Sequence, residues 1–258
     1  MTYKYGWIRG LPSRKFPRIA LPSYPQLSVK KSLIETGFLP PIWDQGDTSS
    51  CTGHGTTRAI AFARAKQGLP YIDFSRLFPY WNARAIEGAT STDGGAVIAD
   101  AITAAEQFGD CPYTDLPTDV SLVTVAPSAQ AFTDAVKHKA LAATRIWGAN
   151  SVGLAYHTKH YIDVLGLPAV LGITVYESFE SDQVANTGAV PMPGPNEEVA
   201  GGHCVAAVAY DDTTQLVTCD NSWGPSWGMA GRFTIPYSYI FDPDMADDFH
   251  GITLEAAA

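Results

Sequence analysis

Cysteine is scarce: Cys51, Cys111, Cys204 and Cys219 are the only four in 258 residues, too few to staple a disulfide scaffold. No Cys-x-x-Cys pair occurs, so the usual structural zinc signature is missing. Free thiols are expected, with no metal and no organic cofactor. Apolar runs are short, and none approaches the roughly 18 residues of a membrane span. The opening Met1-Thr-Tyr-Lys-Tyr-Gly-Trp7 lacks the continuous apolar core of a secretory signal. A cytoplasmic location is therefore favoured, with non-classical export as the alternative. Positive charge is in deficit, 17 Lys and Arg against 26 Asp and Glu for a net −9, which argues against nucleic acid as a partner. With 46% hydrophobic and 17% charged residues, the chain is too apolar to be disordered. What remains is a folded acidic protein with no membrane partner, expected to be a monomer.

The basic residues are bunched. Residues 1–39 hold Lys4, Arg9, Arg14, Lys15, Arg18, Lys30 and Lys31 against the single acid Glu35. Pro12, Pro17, Pro22 and Pro25 prevent a continuous helix there, so the segment reads as an extended arm. Trp7, Ile8, Leu11 and Phe16 are costly to leave exposed, and opposite charge favours laying the arm on the acidic body. Prolines also preset an extended backbone. The arm is thus expected in or near a functional cleft, as a restraint or as a brace.

After Pro40-Pro41 helical signals dominate. Ser49 or Ser50 can cap a helix from Cys51 to Gly68. Asp73 or Ser75 can start another through Ile86, and 94–108 carries apolar residues at helical spacing up to Gly109. Weaker helices are predicted near 128–139 and 152–165. From Pro168 the pattern turns to strands at 170–176, 203–210, 216–222 and 232–236, with a turn at Asp211-Asp212-Thr213-Thr214. Helices first and strands second predict an α+β fold with two lobes.

Chemistry gathers at three places. Gln45-Gly46-Asp47-Thr48-Ser49-Ser50-Cys51 puts a thiol at a helix start, where unpaired N–H groups favour thiolate. His203 follows Gly201-Gly202 and enters an apolar strand. In a regular hairpin paired residue numbers sum to about 425, which brings His203 near Asn221 and Ser222. Asn221 could then orient the imidazole, with Trp223 and Trp227 shielding the bond from water.

These residues resemble the papain-like cysteine peptidases: Gln45 with Cys51, Gly201-Gly202-His203, and above all Asn221-Ser-Trp-Gly-Pro-Ser-Trp-Gly228. The likeness spans roughly residues 40–250 and is similar to compact bacterial members without a long helical propeptide. It implies a helical lobe (about 40–115), a barrel-like β lobe (about 116–240), a C-terminal return (241–258), and a cleft for a peptide or protein substrate between the lobes. Cys51, His203, Asn221 and Gln45 would be catalytic, forming an acyl-enzyme. Gly94, Gly95, Ser49, Gly202 and Trp223 would line the substrate site, with Ala96 and Val97 at a specificity pocket. The chain departs from the family at Thr48-Ser49-Ser50-Cys51-Thr52. A cysteine of a family disulfide is missing, and Ser49 replaces a glycine, narrowing one subsite. The same triad would also serve a transpeptidase or amide transferase, or persist in a catalytically silent peptide-binding module.

Other residues read as structural. His54 suits packing or a supporting hydrogen bond, since a base on the nucleophile's own helix is poorly placed. Cys204 is a small core residue. His157, His160 and Asp163 on one helix do not make a metal site, and the acidic run at 242–248 reads as a solvated loop.

Overall fold

The computed structural model describes residues 3–10, 16–19, 21, 23–139 and 141–254. Leu11, Pro12, Arg14, Lys15 and Pro22 of the arm, and 255–258 of the C-terminal return, lie outside the described residues.

Small residues make the first helix the pivot of the fold. In α1 (Cys51–Lys66) every residue from Cys51 to Ala63 is buried, so that stretch shows no face to solvent. Gly53 packs where a Cβ would lie 2.0 Å from the Arg76 carbonyl, and Gly55 where one would lie 2.7 Å from Cys204 Sγ. On one side stand α2 (Leu77–Glu87) and α3 (Ile98–Phe108). Ser75, rather than Asp73, starts α2, accepting from the Phe78 amide at 2.9 Å. Gly88 ends it in the left-handed conformation. With α4 (Ala129–Ala135), α2 and α3 enclose a core of Phe78, Tyr80, Leu116 and Val123.

On the other side lies one antiparallel sheet in the order β2-β7-β3-β4-β5-β6. Its strands are β2 (Leu141–Arg145), β3 (Ala169–Tyr176), β4 (Val199–Asp211), β5 (Leu216–Asp220), β6 (Arg232–Pro236) and β7 (Ala246–Leu254). A further strand, β1 (Lys30–Ser32), pairs with the far end of β4. Helix α5 (Ser151–Asp163) packs on the sheet, and Tyr161 and Ile162 join its core with Phe179, Phe233 and Phe249. Two short helices, α6 (Asp182–Thr187) and α7 (Tyr237–Ile240), complete the chain. The architecture is α+β, as the pattern predicts.

Two expectations need correction. The 242–248 run is not a solvated loop throughout, because 246–248 open β7 and Asp248 is buried. Asp248 sits at the shift in β3–β7 register, with φ +56°, and so turns inward. Ser50 stands at the N-cap position of α1, but its hydroxyl makes no cap bond and turns to Thr48 and His54 instead.

Candidate active site

The β4–β5 hairpin builds half of the site. Its paired numbers run from Asp211↔Leu216 to Ala206↔Asp220, with a register shift between Ala207 and Ala209. Beyond the last pair, His203 Nε2 meets Asn221 Oδ1 at 2.7 Å. The Ser222 amide donates to the same oxygen at 2.8 Å, so Asn221 presents its carbonyl and His203 Nε2 carries the proton. Trp223 stacks on the imidazole at 4.8 Å and is itself crossed by Trp227 at 90°. Asp220, next to Asn221, is anchored by Arg58 and Arg232, each at 2.7 Å. Arg58 also donates to the carbonyls of Pro40 and Pro41. That buried cation ties α1 and the chain entering it to the hairpin.

The other half comes from the loop before α1. Gln45 is held by its amide to Ser222 O at 2.8 Å, and its Oε1 accepts from Ser222 Oγ at 2.6 Å. Its Nε2 is thereby turned to the Thr48 carbonyl at 2.7 Å and to the Lys4 carbonyl at 3.1 Å. Cys51 opens α1 and is fully buried. Tyr80 on α2 donates to Asp93 at 2.6 Å and receives the Gly95 amide at 3.0 Å, and Asp93 accepts from the Ser49 amide at 2.9 Å, which ties that loop to the start of α1. All four cysteines are free thiols.

The arm lies along this arrangement. Gly6 and Trp7 donate to Gly202 O at 3.1 and 2.8 Å; Ala96 donates to Gly6 O and Ile8 to Ala96 O. Only glycine fits at position 6, where a Cβ would lie 1.7 Å from Ser49 O. Tyr3 stacks on Trp223 at 4.0 Å, and Tyr5 meets the His203 ring edge-on. Trp7 fills a pocket against Gly172, where a Cβ would lie 2.0 Å from the indole, and donates from Nε1 to Asp248 at 3.0 Å.

Covering changes the electrostatics. Burial pushes the Cys51 thiol up to about 12, against the opposing pull of backbone hydrogen bonds from Cys204, Gly6 and Thr52. Burial also brings His203 down to about 4, against the opposing bond to Asn221. Beneath the arm the pair is therefore a neutral thiol and a neutral imidazole at pH 7.

Of the candidates from sequence, Cys51, His203, Asn221, Gln45, Gly95, Gly202 and Trp223 all meet the arm or one another here. Ser49 touches the arm through its backbone, while its hydroxyl turns to Asp93 O at 3.1 Å. At Gly94, among the described residues, a Cβ would meet only Thr92 within 4 Å. His157, His160 and Asp163 are engaged separately, with Trp147, Tyr156 and Ser28. Sequence reasoning missed Asp248. Its signal was present, an acid followed by an apolar strand, but only the fold aims it at Trp7.

No family profile matches the chain. An uncharacterized peptidase C1-like protein of Acanthamoeba polyphaga mimivirus is 35% identical over 213 residues, covering 80% of this chain and 67% of that protein. Xylellain, a cysteine protease from Xylella fastidiosa, is 32% identical and superposes with a TM-score of 0.87, covering 99% of this chain and 97% of that one. Digestive procathepsin L 3 of Tenebrio molitor shares the fold at 16% identity, with a TM-score of 0.67, covering 97% of this chain and 76% of that one.

Proposed function

The chain belongs to the papain-like, C1-type cysteine peptidases, and on that premise we propose that Cys51, His203, Asn221 and Gln45 hydrolyse peptide bonds through an acyl-enzyme. The observation that carries this reading is the 2.7 Å bond from His203 Nε2–H to Asn221 Oδ1. It leaves Nδ1, which has no hydrogen-bond partner among the described residues, as the basic nitrogen.

With the arm withdrawn, water returns to the cleft and the proton passes from Cys51 Sγ to His203 Nδ1. The thiolate attacks the scissile carbonyl; a C–S bond forms and the carbonyl electrons move to oxygen. Gln45 Nε2 and the Cys51 amide donate to that oxyanion, worth about 3 kcal/mol per donor. His203 Nδ1–H protonates the leaving amine as the C–N bond breaks. Water then attacks the thioester with His203 as base, releasing the acid and the thiol.

The arm keeps this machinery latent. Its Lys4 carbonyl occupies the Gln45 donor, whereas the backbone group at the thiol is the Gly6 amide. A substrate must offer one carbonyl to both, so the arm is held without being cut.

The test is hydrolysis of a small peptide amide by a chain lacking residues 1–10, compared with the full chain. The shortened chain should be faster, and Cys51→Ala or His203→Ala should abolish turnover in both. Turnover surviving in Cys51→Ala ends the reading. Added amines separate hydrolysis from acyl transfer, since only the latter yields the amide product.

A further inference from the structure

The helix that opens with Cys51 carries a buried histidine that this reaction does not use. His54 Nδ1 lies 3.0 Å from the Ser50 carbonyl and 3.2 Å from Ser50 Oγ. Hydroxyl protons along the chain fix its tautomer. Thr48 Oγ1–H donates to the Gln45 carbonyl at 2.7 Å, so the Ser50 hydroxyl proton goes to Thr48 Oγ1 at 2.6 Å. Ser50 then offers His54 only acceptors, and Nδ1 must hold the imidazole proton. Burial, aided by Arg76 and Arg58, brings His54 down to about 3, keeping it neutral. Its Nε2 is left as a buried acceptor with no protein partner among the described residues.

Asn221 has the complementary need. Its Oδ1 already takes two donors, His203 Nε2 and the Ser222 amide, which fixes the amide orientation. Its Nδ2 is a buried donor with no protein partner among the described residues. Both side chains line one cavity of about 10 Å³ between α1 and the β4–β5 hairpin, walled also by Trp43, Gly55, Cys204 and Ala206. Asp220 lies on the same wall, but its oxygens are taken by Arg58 and Arg232. Among the described residues, the buried side-chain nitrogen and oxygen atoms on this wall that lack a partner are one acceptor and one donor. The volume suits a single water, which needs such polar partners to be held.

We propose that one water molecule occupies this cavity, accepting from Asn221 Nδ2–H and donating to His54 Nε2, so that His54 is a positioning residue for the catalytic imidazole. This rests on the reading of His203 as base and Asn221 as its orienter. The water holds the Asn221 amide from behind while Oδ1 holds His203 from in front. The same path runs back through Ser50 and Thr48 to the Gln45 carbonyl, and Gln45 Oε1 in turn binds Ser222. The oxyanion donor and the base are thereby set by one closed network across the two halves of the site.

Two measurements on the full chain test this. A crystal structure at high resolution should show a water bonded to both His54 Nε2 and Asn221 Nδ2; a dry cavity, or a water touching neither atom, overturns the proposal. Turnover of a small peptide amide should fall about tenfold in His54→Phe with KM unchanged, because the Asn221 donor is stranded. His54→Gln, whose carbonyl can accept from the water, should recover most of the loss and covers the case in which the Phe variant fails to fold. In an Asn221→Ala background His54→Phe should cost nothing further. An equal tenfold loss there would mean that His54 acts by packing alone, and would sink the positioning role. Unchanged turnover in Asn221→Ala itself would remove the premise and the role with it, an outcome separate from where the water lies.

Discussion

The two stretches of the arm are both basic, although only the second carries proline, and they make different kinds of contact. Residues 3–10 lie between the halves of the site, bonded through main chain to Gly202 and Ala96, with Trp7 in a pocket and Gly6 pressed on Ser49. Residues 16–19 and 30–32 follow strand edges. Pro17 O and Ile19 N bracket Arg145 on the outer strand β2, Phe16 enters the core beside His250, and β1 adds to β4. On the proposed function the first stretch occupies the cleft that a substrate needs; the second covers sheet edges that would otherwise be unpaired. A restraint and a brace were competing readings of one arm, and we propose that each belongs to one of its two parts. Among the described residues, charge contributes less than its distribution suggests. Arg9 donates to the carbonyls of Pro243 and Asp244, and Arg18 lies over the Trp147 ring. Among the described residues the arm's ion pair is Lys31 with Asp163 at 3.8 Å, a surface contact worth little.

The sharpest way to break this division is Gly6→Val. A side chain there collides with backbone, so residues 3–10 should leave the cleft while the brace stays. Turnover of the full chain should rise roughly 100-fold, about 3 kcal/mol of lost cover, with the melting temperature nearly unchanged. Phe16→Ala should do the reverse, costing about 3 kcal/mol of stability and leaving turnover per folded molecule within about twofold. If Phe16→Ala activates as strongly as Gly6→Val, the two stretches act as one. A null result is expected from pH. In the covered state Cys51 and His203 are both neutral and together hold one proton. Once the arm withdraws the same proton has passed from Cys51 to His203, so the two states bind equal numbers of protons at this pair and cover does not depend on pH through it. The rate ratio of Gly6→Val to the full chain should therefore stay within about twofold between pH 7 and pH 5; a ratio that falls steadily with pH would show that the uncovered imidazole takes its proton from solvent and not from Cys51.

Much of the site was legible because its signals are local. Cys51 follows a helix-start sequence, and His203 and Asn221 flank one short turn, so a hairpin alone brings them together. The turn residues gave the register to within one or two positions: pairs beside the turn stand two from the expected sum, and those beyond the shift at Ala207 and Ala209 stand one from it. Strand β7 was not legible, since adjacent Asp247 and Asp248 break its alternation, and only the register shift against β3 buries one of them. Strands β1 and β2 were missed because they are short and owe their conformation to distant partners, β4 and β7. Trp7 announced that it would be buried, but not where. Its pocket is assembled from Gly172 and Asp248, far away in sequence.

The central claim is that Cys51 is the nucleophile and that residues 3–10 cover it. Alkylation of the full chain and of Gly6→Val by iodoacetamide, located by peptide mass mapping, tests both parts at once. The account requires loss of activity to track modification of Cys51, at least about tenfold faster in Gly6→Val. Equal rates in the two chains, or inactivation that tracks Cys111, Cys204 or Cys219 instead, would contradict it.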